Sequence, residues 1–410
     1  MEVVHKICAG LDVHKESVVA CVRTVENGKV TREVRTFGAT TAELLALSAW
    51  LAEAGVTHIA MEATGVYWKP VWHILDDGAF VLVLANAGHI KNVPGRKTDV
   101  NDAAWIADLL AHGLIRASFV PELPIQELRA LMRTRRQLVR ERSSHTQRLQ
   151  KVLEDANIKL DAVISDILGV SGRAILQALI AGETDPDALA RRANPRVKAA
   201  PQRLREALHG KVSAHHRFML GLHLGQIDAI NAAIAALDAE VDAQLAPFRA
   251  AVSLLITVPG VAPLSAASIL GEIGVDMSVF ASADHLVAWA GLCPRNDESA
   301  GKRRSTRLRK SGNWIKAIMV QCAWAAARTN GSYFQARFQR LRARRGAKKA
   351  VCAVAASMLV AIYHMLRDGV VYRDLGADHF DRRGREAKTR RLVRQLAKLG
   401  FEAHLQPIAA

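Results

Sequence analysis

Arg96-Lys97-Thr98-Asp99-Val100-Asn101-Asp102 is the stretch around which the chain is organised. Two carboxylates, three residues apart, follow two cations and head an apolar run of Ala103, Ala104, Trp105, Ile106, Leu109 and Leu110. In a helix, residues i and i+3 share a face, with Cβ atoms roughly 5–6 Å apart. That spacing suits two carboxylates that hold one divalent cation. The plain alternative is a helix start, with Thr98 as N-cap and the Asp residues favoured by the positive end of the helix dipole.

The residues upstream give the stretch its context. Ile7 to Val13 is a short run rich in β-formers, and Ser17 to Thr24 is a second. Glu26-Asn27-Gly28-Lys29 supplies a turn, with Asn-Gly as the hairpin signal, and Val30 to Phe37 alternates as a third strand. Thr41 opens a helix with Leu44, Leu45, Leu47 and Leu51 as its apolar stripe. His58 to Glu62 reads as strand four, Val66 to Leu75 as a short helix and Phe80 to Ala85 as strand five, and the Asp99 helix follows. Three strands in hairpin contact, then helix, strand, helix, strand, helix is the order of a ribonuclease-H-like α/β domain.

Downstream the composition shifts. Residues 1–120 hold 11 Lys+Arg against 13 Asp+Glu, whereas the remainder holds 45 against 26, within a total of 410 residues and a net charge of +17. A slightly acidic head on a strongly basic body fits a metal-binding catalytic domain attached to a nucleic-acid clamp. Pro121 and Pro124 mark a boundary. Gln126 to Leu153 is a long polar helix dense in Arg, residues 157–212 are helical but irregular, and Ser213 to Leu245 is a second long helix. Its Leu220, Ile227, Ile230, Ile234, Leu237 and Val241 form a heptad seam. An antiparallel coiled-coil arm suited to dimerisation is expected, with one helix packed on its own domain as the alternative.

Helix, Val258-Pro259-Gly260-Val261 turn, helix resembles a helix-hairpin-helix, in which turn N–H groups contact phosphates; an ordinary αα-hairpin is the alternative. A polar basic loop follows, with Arg295, Lys302, Arg303, Arg304, Arg307, Arg309 and Lys310 as candidate nucleic-acid contacts. Further basic clusters lie at Arg337–Lys349 and in the tail beyond Asp374. The expected domains are therefore residues 1–118, 119–248, 249–376 and a basic tail, 377–410. Five dispersed cysteines without a C-x-x-C argue against a disulfide framework or zinc site and for a reducing compartment. The start is not a signal peptide, and the longest apolar run, Ala350 to Tyr363, is too short to span a bilayer. A cytoplasmic protein with no membrane partner, acting at the bacterial nucleoid, is expected.

Four acids share one logic. Asp12 ends strand one, Glu62 ends strand four, and Asp99 and Asp102 start the last helix. In such a sheet strands one and four are neighbours, so the carboxylates converge and need a divalent cation, Mg²⁺ or Mn²⁺, to offset their repulsion. Two such ions roughly 4 Å apart stabilise the attacking and leaving oxygens of a scissile phosphate. Asp76 and Asp77 read as a turn, Asp108 lies further down the helix, and His14 and Glu16 read as loop or outer residues.

Gly10-Leu11-Asp12-Val13-His14-Lys15, Met61-Glu62-Ala63-Thr64-Gly65 and Lys97-Thr98-Asp99-Val100-Asn101-Asp102-Ala103 resemble the DEDD-type insertion-sequence transposases, relatives of the Piv DNA invertase. Val258-Pro259-Gly260-Val261, Ala290-Gly291-Leu292-Cys293-Pro294 and Glu298-Ser299-Ala300-Gly301-Lys302-Arg303-Arg304 extend the resemblance in family order. It implies a RuvC-like N-terminal domain supplying Asp12, Glu62, Asp99 and Asp102, and a C-terminal transposase domain supplying Ser299 as nucleophile. It also implies a covalent phosphoserine link to DNA, a structured guide ("bridge") RNA, donor and target duplexes, and homodimers that pair into a tetramer. On chemistry alone Ser305, Thr306 and Ser311 stand beside Ser299, and the resemblance alone selects it. A serine hydroxyl needs activation, and no base adjacent in sequence supplies it.

Three other readings compete. A RuvC-like nuclease acting on branched DNA would leave Ser299 structural. A non-catalytic nucleic-acid binder would not need the acids. An actin-like ATPase or sugar kinase would share Gly10-Leu11-Asp12-Val13 but needs a second Asp-x-Gly-x-[Thr/Ser] loop, which the sequence lacks.

Overall fold

The computed structural model describes residues 2–91, 101–294, 297–299, 301–305, 307–308 and 314–402. Arg295, Arg309, Lys310, Thr98 and Asp99, all named above, lie outside these residues, and Ser299, Arg303 and Arg304 are described by their backbone. The chain divides into two compact units, Met1–Val120 and Pro121–Ala410.

The first unit is built on a five-stranded mixed sheet. Its strands are β1 (Ile7–Val13), β2 (Ser17–Glu26), β3 (Lys29–Gly38), β4 (His58–Glu62) and β5 (Val81–Ala85), in the order β3-β2-β1-β4-β5. β1, β2 and β3 form an antiparallel meander, and β4 and β5 run parallel to β1. Asn27 and Gly28 turn β2 into β3 with φ of 48° and 76°, the paired positive values of a type I′ hairpin that Asn-Gly favours.

Alternation along the strands sorts two layers. Ala9, Leu11 and Val13 of β1, Val18, Ala20 and Val22 of β2, and Ile59 and Met61 of β4 pack under α1 (Thr41–Glu53) and α2 (Trp68–Leu75). Cys8, Cys21, Ala60 and Ala85 face α4 (Asp102–Ala111), which follows the short α3 (Ala87–Lys91). In α1 the expected stripe shifts by part of a turn: Leu45 is exposed, and Trp50 joins Leu44, Leu47 and Leu51 in the core.

Among its described residues the second unit is helical apart from one hairpin. α5 (Leu123–Asp155) and α10 (Ala214–Gln244) are 33 and 31 residues long and pack antiparallel. Arg135 reaches Asp238 (Nη2–Oδ2 3.0 Å), Arg142 reaches Asn231 (3.0 Å) and His145 reaches His223 (3.3 Å), so the partner number recedes as α5 advances. Residues 157–212 form α6 (Leu160–Val163), α7 (Val170–Ala181), α8 (Pro186–Ala190) and α9 (Pro201–Leu208). These enclose a separate core with Leu149 and Leu153 of α5 and Leu220, Leu224 and Ile227 of α10. The segment between the long helices is thus a small packed body rather than irregular chain.

Next come α11 (Arg249–Leu255), α12 (Pro263–Ile273) and α13 (Ala283–Trp289). The turn between α11 and α12 places Gly260 at φ 84°, where a Cβ would stand 2.4 Å from the Cys322 carbonyl oxygen of α14 (Trp314–Ala326). The glycine therefore serves a close backbone approach. The stretch expected as a loop contains an antiparallel hairpin, β6 (Asp297–Ser299) and β7 (Lys302–Ser305). α15 (Tyr333–Arg345), α16 (Ala347–Asp368) and α17 (His379–Lys398) complete the unit. α16 runs 22 residues, longer than its apolar run, because Lys348, Lys349 and Arg367 extend it. By length and composition α16 and α10 could each cross a membrane. In α16, however, Val354, Ala355, Met358, Leu359 and Ile362 are fully buried inside the unit.

Candidate active site

The carboxyl ends of β1 and β4 carry the first two acids. The parallel register pairs Gly10 with Ala60 and Leu11 with Met61, so the next step sets Asp12 beside Glu62. Strand parity then fixes their side. Leu11 and Met61 point into the α1–α2 layer, so Asp12 and Glu62 lie on the α4 face.

Gly10 brings the third acid to the same end. A Cβ on Gly10 would stand 2.2 Å from the Ala103 carbonyl oxygen and 2.4 Å from the Ala107 nitrogen, so α4 lies directly on β1. The Cys8 thiol donates to the Ala107 carbonyl (3.6 Å), one step back along β1 and further along the helix. α4 therefore runs antiparallel to β1, and its first residue, Asp102, is exposed at the end where Asp12 stands. The N-cap is Asn101, whose Oδ1 accepts from the Ala103 N–H at 2.8 Å; this corrects the expected Thr98 cap. Asn is as strong a cap as Thr, and the helix starts at the residue after it.

Neighbours contact both strand-borne acids. His14 Nε2 lies 3.2 Å from Asp12 Oδ2, and Thr64 Oγ1 donates to Glu62 Oε1 at 3.2 Å. Among the described residues neither Asp12 nor Glu62 pairs with a Lys or Arg. Of the two readings open for His14, loop or outer residue, the contact with Asp12 fits the second, and Thr64 has no role assigned from the sequence; both lie inside the quoted motifs, which is the available signal. Asp108, by contrast, is fully engaged. Buried Arg23 of β2 donates to it at 2.8 Å, and Arg32 of β3 grips both its oxygens at 2.9 and 2.8 Å, so it ties α4 to the sheet. Asp76 accepts from the Trp72 indole and Asp77 from the Ala79 N–H, as turn residues do. Burial pushes the thiols of Cys8 and Cys21 beneath the site up to about 11, which leaves them inert.

The donor set suits a hard divalent cation, since it consists of carboxylate oxygens gathered at one sheet end. Among the described residues no three His, Cys, Asp or Glu side chains close into a metal-holding cluster. The expected fourth acid, Asp99, lies outside those residues.

Ser299 belongs to the second unit. It is the last residue of β6 and pairs with Lys302, and Gly301, just before β7, has φ 72°. The register slips between Asp297 and Glu298, so Arg304 is an extra residue opposite them, a bulge of the kind that re-aims side chains. Lys302 and Arg307 are exposed, and Ser305 Oγ accepts from the Arg307 N–H at 3.2 Å. Thr306 and Ser311 lie outside the described residues.

Comparison with known proteins identifies the family. The model of the IS110-type DEDD transposases matches residues 9–158, which contain all four acids. A second model, described as "Transposase IS116/IS110/IS902 family", matches residues 252–339, which contain Ser299. The two together take in more than half of the chain. The chain is 28% identical to the 42 kDa protein of insertion element IS900 of Mycobacterium paratuberculosis, covering 71% of this chain and 80% of that one. It is 25% identical to a probable family 20 transposase of Pseudomonas aeruginosa, covering 77% and 85%. It is also 26% identical to the 43.6 kDa protein of insertion element IS110 of Streptomyces coelicolor, covering 68% and 73%. With both models matched in order and these relatives matched over most of their length, the chain belongs to the DEDD-type insertion-sequence transposases and is a DNA transposase.

Proposed function

We propose that this transposase cuts and rejoins DNA strands with Ser299 as nucleophile and Asp12, Glu62, Asp99 and Asp102 as the carboxylate site that assists it. The observation that carries the reading is the β1–β4 register, which sets Asp12 beside Glu62 on the face covered by α4. Two adjacent carboxylates that, among the described residues, pair with no Lys or Arg are poorly explained as structural pairs.

Asp12, Glu62 and Asp102, with Asp99 from the sequence pattern, would hold Mg²⁺ or Mn²⁺; bound there, the ion supplies Lewis-acid charge at a phosphate oxygen. His14 and Thr64 fix the orientation of the two strand-borne carboxylates. The Ser299 hydroxyl oxygen attacks phosphorus, and the bond from phosphorus to one sugar oxygen breaks. The proton lost by the serine is balanced by one gained at the departing sugar oxygen. Attack by a sugar hydroxyl of another strand reverses the step and frees the serine, so no bond energy is lost to water. Exposed Lys302 in the hairpin and Arg307 just beyond it favour the charge that builds on the phosphate oxygens.

The same reading assigns a structured guide RNA and the donor and target duplexes to the basic residues of 121–410. It assigns homodimerisation, with dimers pairing into tetramers, to the α5–α10 arm, and it places the reaction in the cytoplasm. The family resemblance and the excess of 45 cations over 26 acids beyond residue 120 support these assignments.

Asp12→Asn, Glu62→Gln and Asp102→Asn, tested on insertion-sequence-end DNA with and without a chelator, check the acid site. Each variant is expected to keep duplex affinity and to lose cleavage by about a hundredfold or more, as removal of metal-ion charge stabilisation does. Unchanged recombination by Asp12→Asn would remove the acids from the chemistry. Sequencing of the RNA that copurifies tests the guide; recombination by a preparation free of RNA would exclude it.

A further inference from the structure

α5 carries a run of arginines, and most have a partner within the second unit. Arg129 donates to the carbonyls of Gly271 and Glu272, both at 2.8 Å, closing the C-terminal turn of α12. Arg133 grips buried Glu272 through two bonds of 2.8 Å. Arg135 holds Asp238, and Arg142 holds Asn231. Arg136 and Arg140, one turn apart, are different: among the described residues neither pairs with a carboxylate.

Both instead lie over one indole. The guanidinium carbons of Arg136 and Arg140 are 5.4 and 5.6 Å from the Trp314 ring centroid, and that of Arg133 is 5.4 Å away. These residues wall a cleft of about 440 Å³ between α5, α12 and α14, with Ser265, Ser268 and Gln321 on its sides. Among the described lining residues the sole acid, Glu272, is already taken by Arg133. A guanidinium held over an indole face keeps N–H donors for a planar or tetrahedral anion. Crowding has a cost here: burial first, then Arg140, lowers the proton affinity of Arg136. An anion in the cleft relieves it.

We propose that the cleft between α5 and α14 seats the phosphodiester backbone of a nucleic-acid strand, with one phosphate bridging Arg136 and Arg140. The proposal rests on the reading of this protein as a nucleic-acid enzyme and adds a phosphate seat on residues the catalytic account does not use. A strand fits better than a free small anion because the cleft belongs to the unit that holds the chain's cation excess. The phosphodiester is common to DNA and RNA, so the test has an arm for each.

The experiment compares full-length wild type with Arg136→Gln/Arg140→Gln in binding to a labelled generic DNA duplex, one of its single strands and a labelled hairpin RNA, across a salt series. The double variant should bind at least about tenfold more weakly, the loss expected of one charge-assisted contact. Its slope of log affinity against log salt should be shallower by about 0.9 on duplex or about 0.7 on single strand, one phosphate's worth. Loss on the RNA arm alone assigns the seat to RNA, and loss on the duplex arm alone assigns it to DNA. Unchanged affinity and slope on all three probes would overturn the proposal and leave the arginines as packing between α5 and α14. If wild type binds none of the probes, the nucleic-acid reading fails as a whole, a result distinct from failure of this seat. Should the Gln pair unfold, Arg136→Lys/Arg140→Lys carries the test. It keeps the charge and loses the planar fork, so weaker binding at an unchanged slope is expected, and wild-type affinity would contradict the bridging geometry.

Discussion

Gly10 and Ala103 approach so closely that a Cβ on Gly10 would stand 2.2 Å from the Ala103 carbonyl oxygen. The contact lets α4 lie directly on β1 and brings Asp102 to the sheet end that carries Asp12 and Glu62. One missing methyl group therefore sets the spacing of the acid site.

Gly10→Ala should push α4 off the sheet. Overpacking of this kind costs about 1–3 kcal/mol and occasionally more. Urea titration should show that loss, and cleavage should fall further than stability does in conditions where the variant is still folded. A variant as stable and as active as wild type would show that the helix has room to spare.

Asp108 should behave as a structural acid. Its removal strands Arg23, which is 3% exposed and relies on it. Asp108→Ala should cost about 3 kcal/mol or more, the penalty of leaving one partner of a buried pair alone. Thermal melting of wild type and variant checks this. A larger effect on cleavage than on stability would move Asp108 into the catalytic group.

The α5–α10 pair should weaken in mild acid. His223 is 8% exposed, and burial first, then His145, holds its imidazole below the usual 6.5. Below about 6.5 the unfolded chain binds the proton that the folded helix pair resists, so stability falls as pH drops through that value and is unaffected above it. His58, also depressed by burial and by His5, acts in the same direction in the first unit. Melting curves at about pH 7.5 and about pH 5 should show the decline, and His223→Gln should flatten part of it. An identical pH slope in the variant would exclude His223 as a contributor.

Much of the first unit was legible because its signals are local. Asn27-Gly28 names its own turn, and alternation in β1, β2 and β4 sorts the two layers. The placement of Asp12 and Glu62 follows from strand ends that the pattern marks clearly. What was misread depends on neighbours distant in sequence. Leu45 and Trp50 compete for one stripe, and the sheet selects Trp50. Thr98 and Asn101 are both competent caps, and the approach of α4 to β1 coincides with a start at Asn101. The hairpin at 297–305 has only three- and four-residue strands, too short for a periodic signal. The contacts of His14 and Thr64 with the acids, and the position of Arg136 and Arg140 over the Trp314 ring, are side-chain meetings with no period at all.

The serine mechanism is tested most directly by denaturing a reaction on insertion-sequence-end DNA and mapping any protein–DNA adduct by peptide mass spectrometry. The account predicts a phosphoester on Ser299, absent in Ser299→Ala and sharply reduced in Asp12→Asn. Normal cleavage and rejoining by Ser299→Ala, with no adduct in wild type, would contradict it and leave a metal-dependent nuclease in its place.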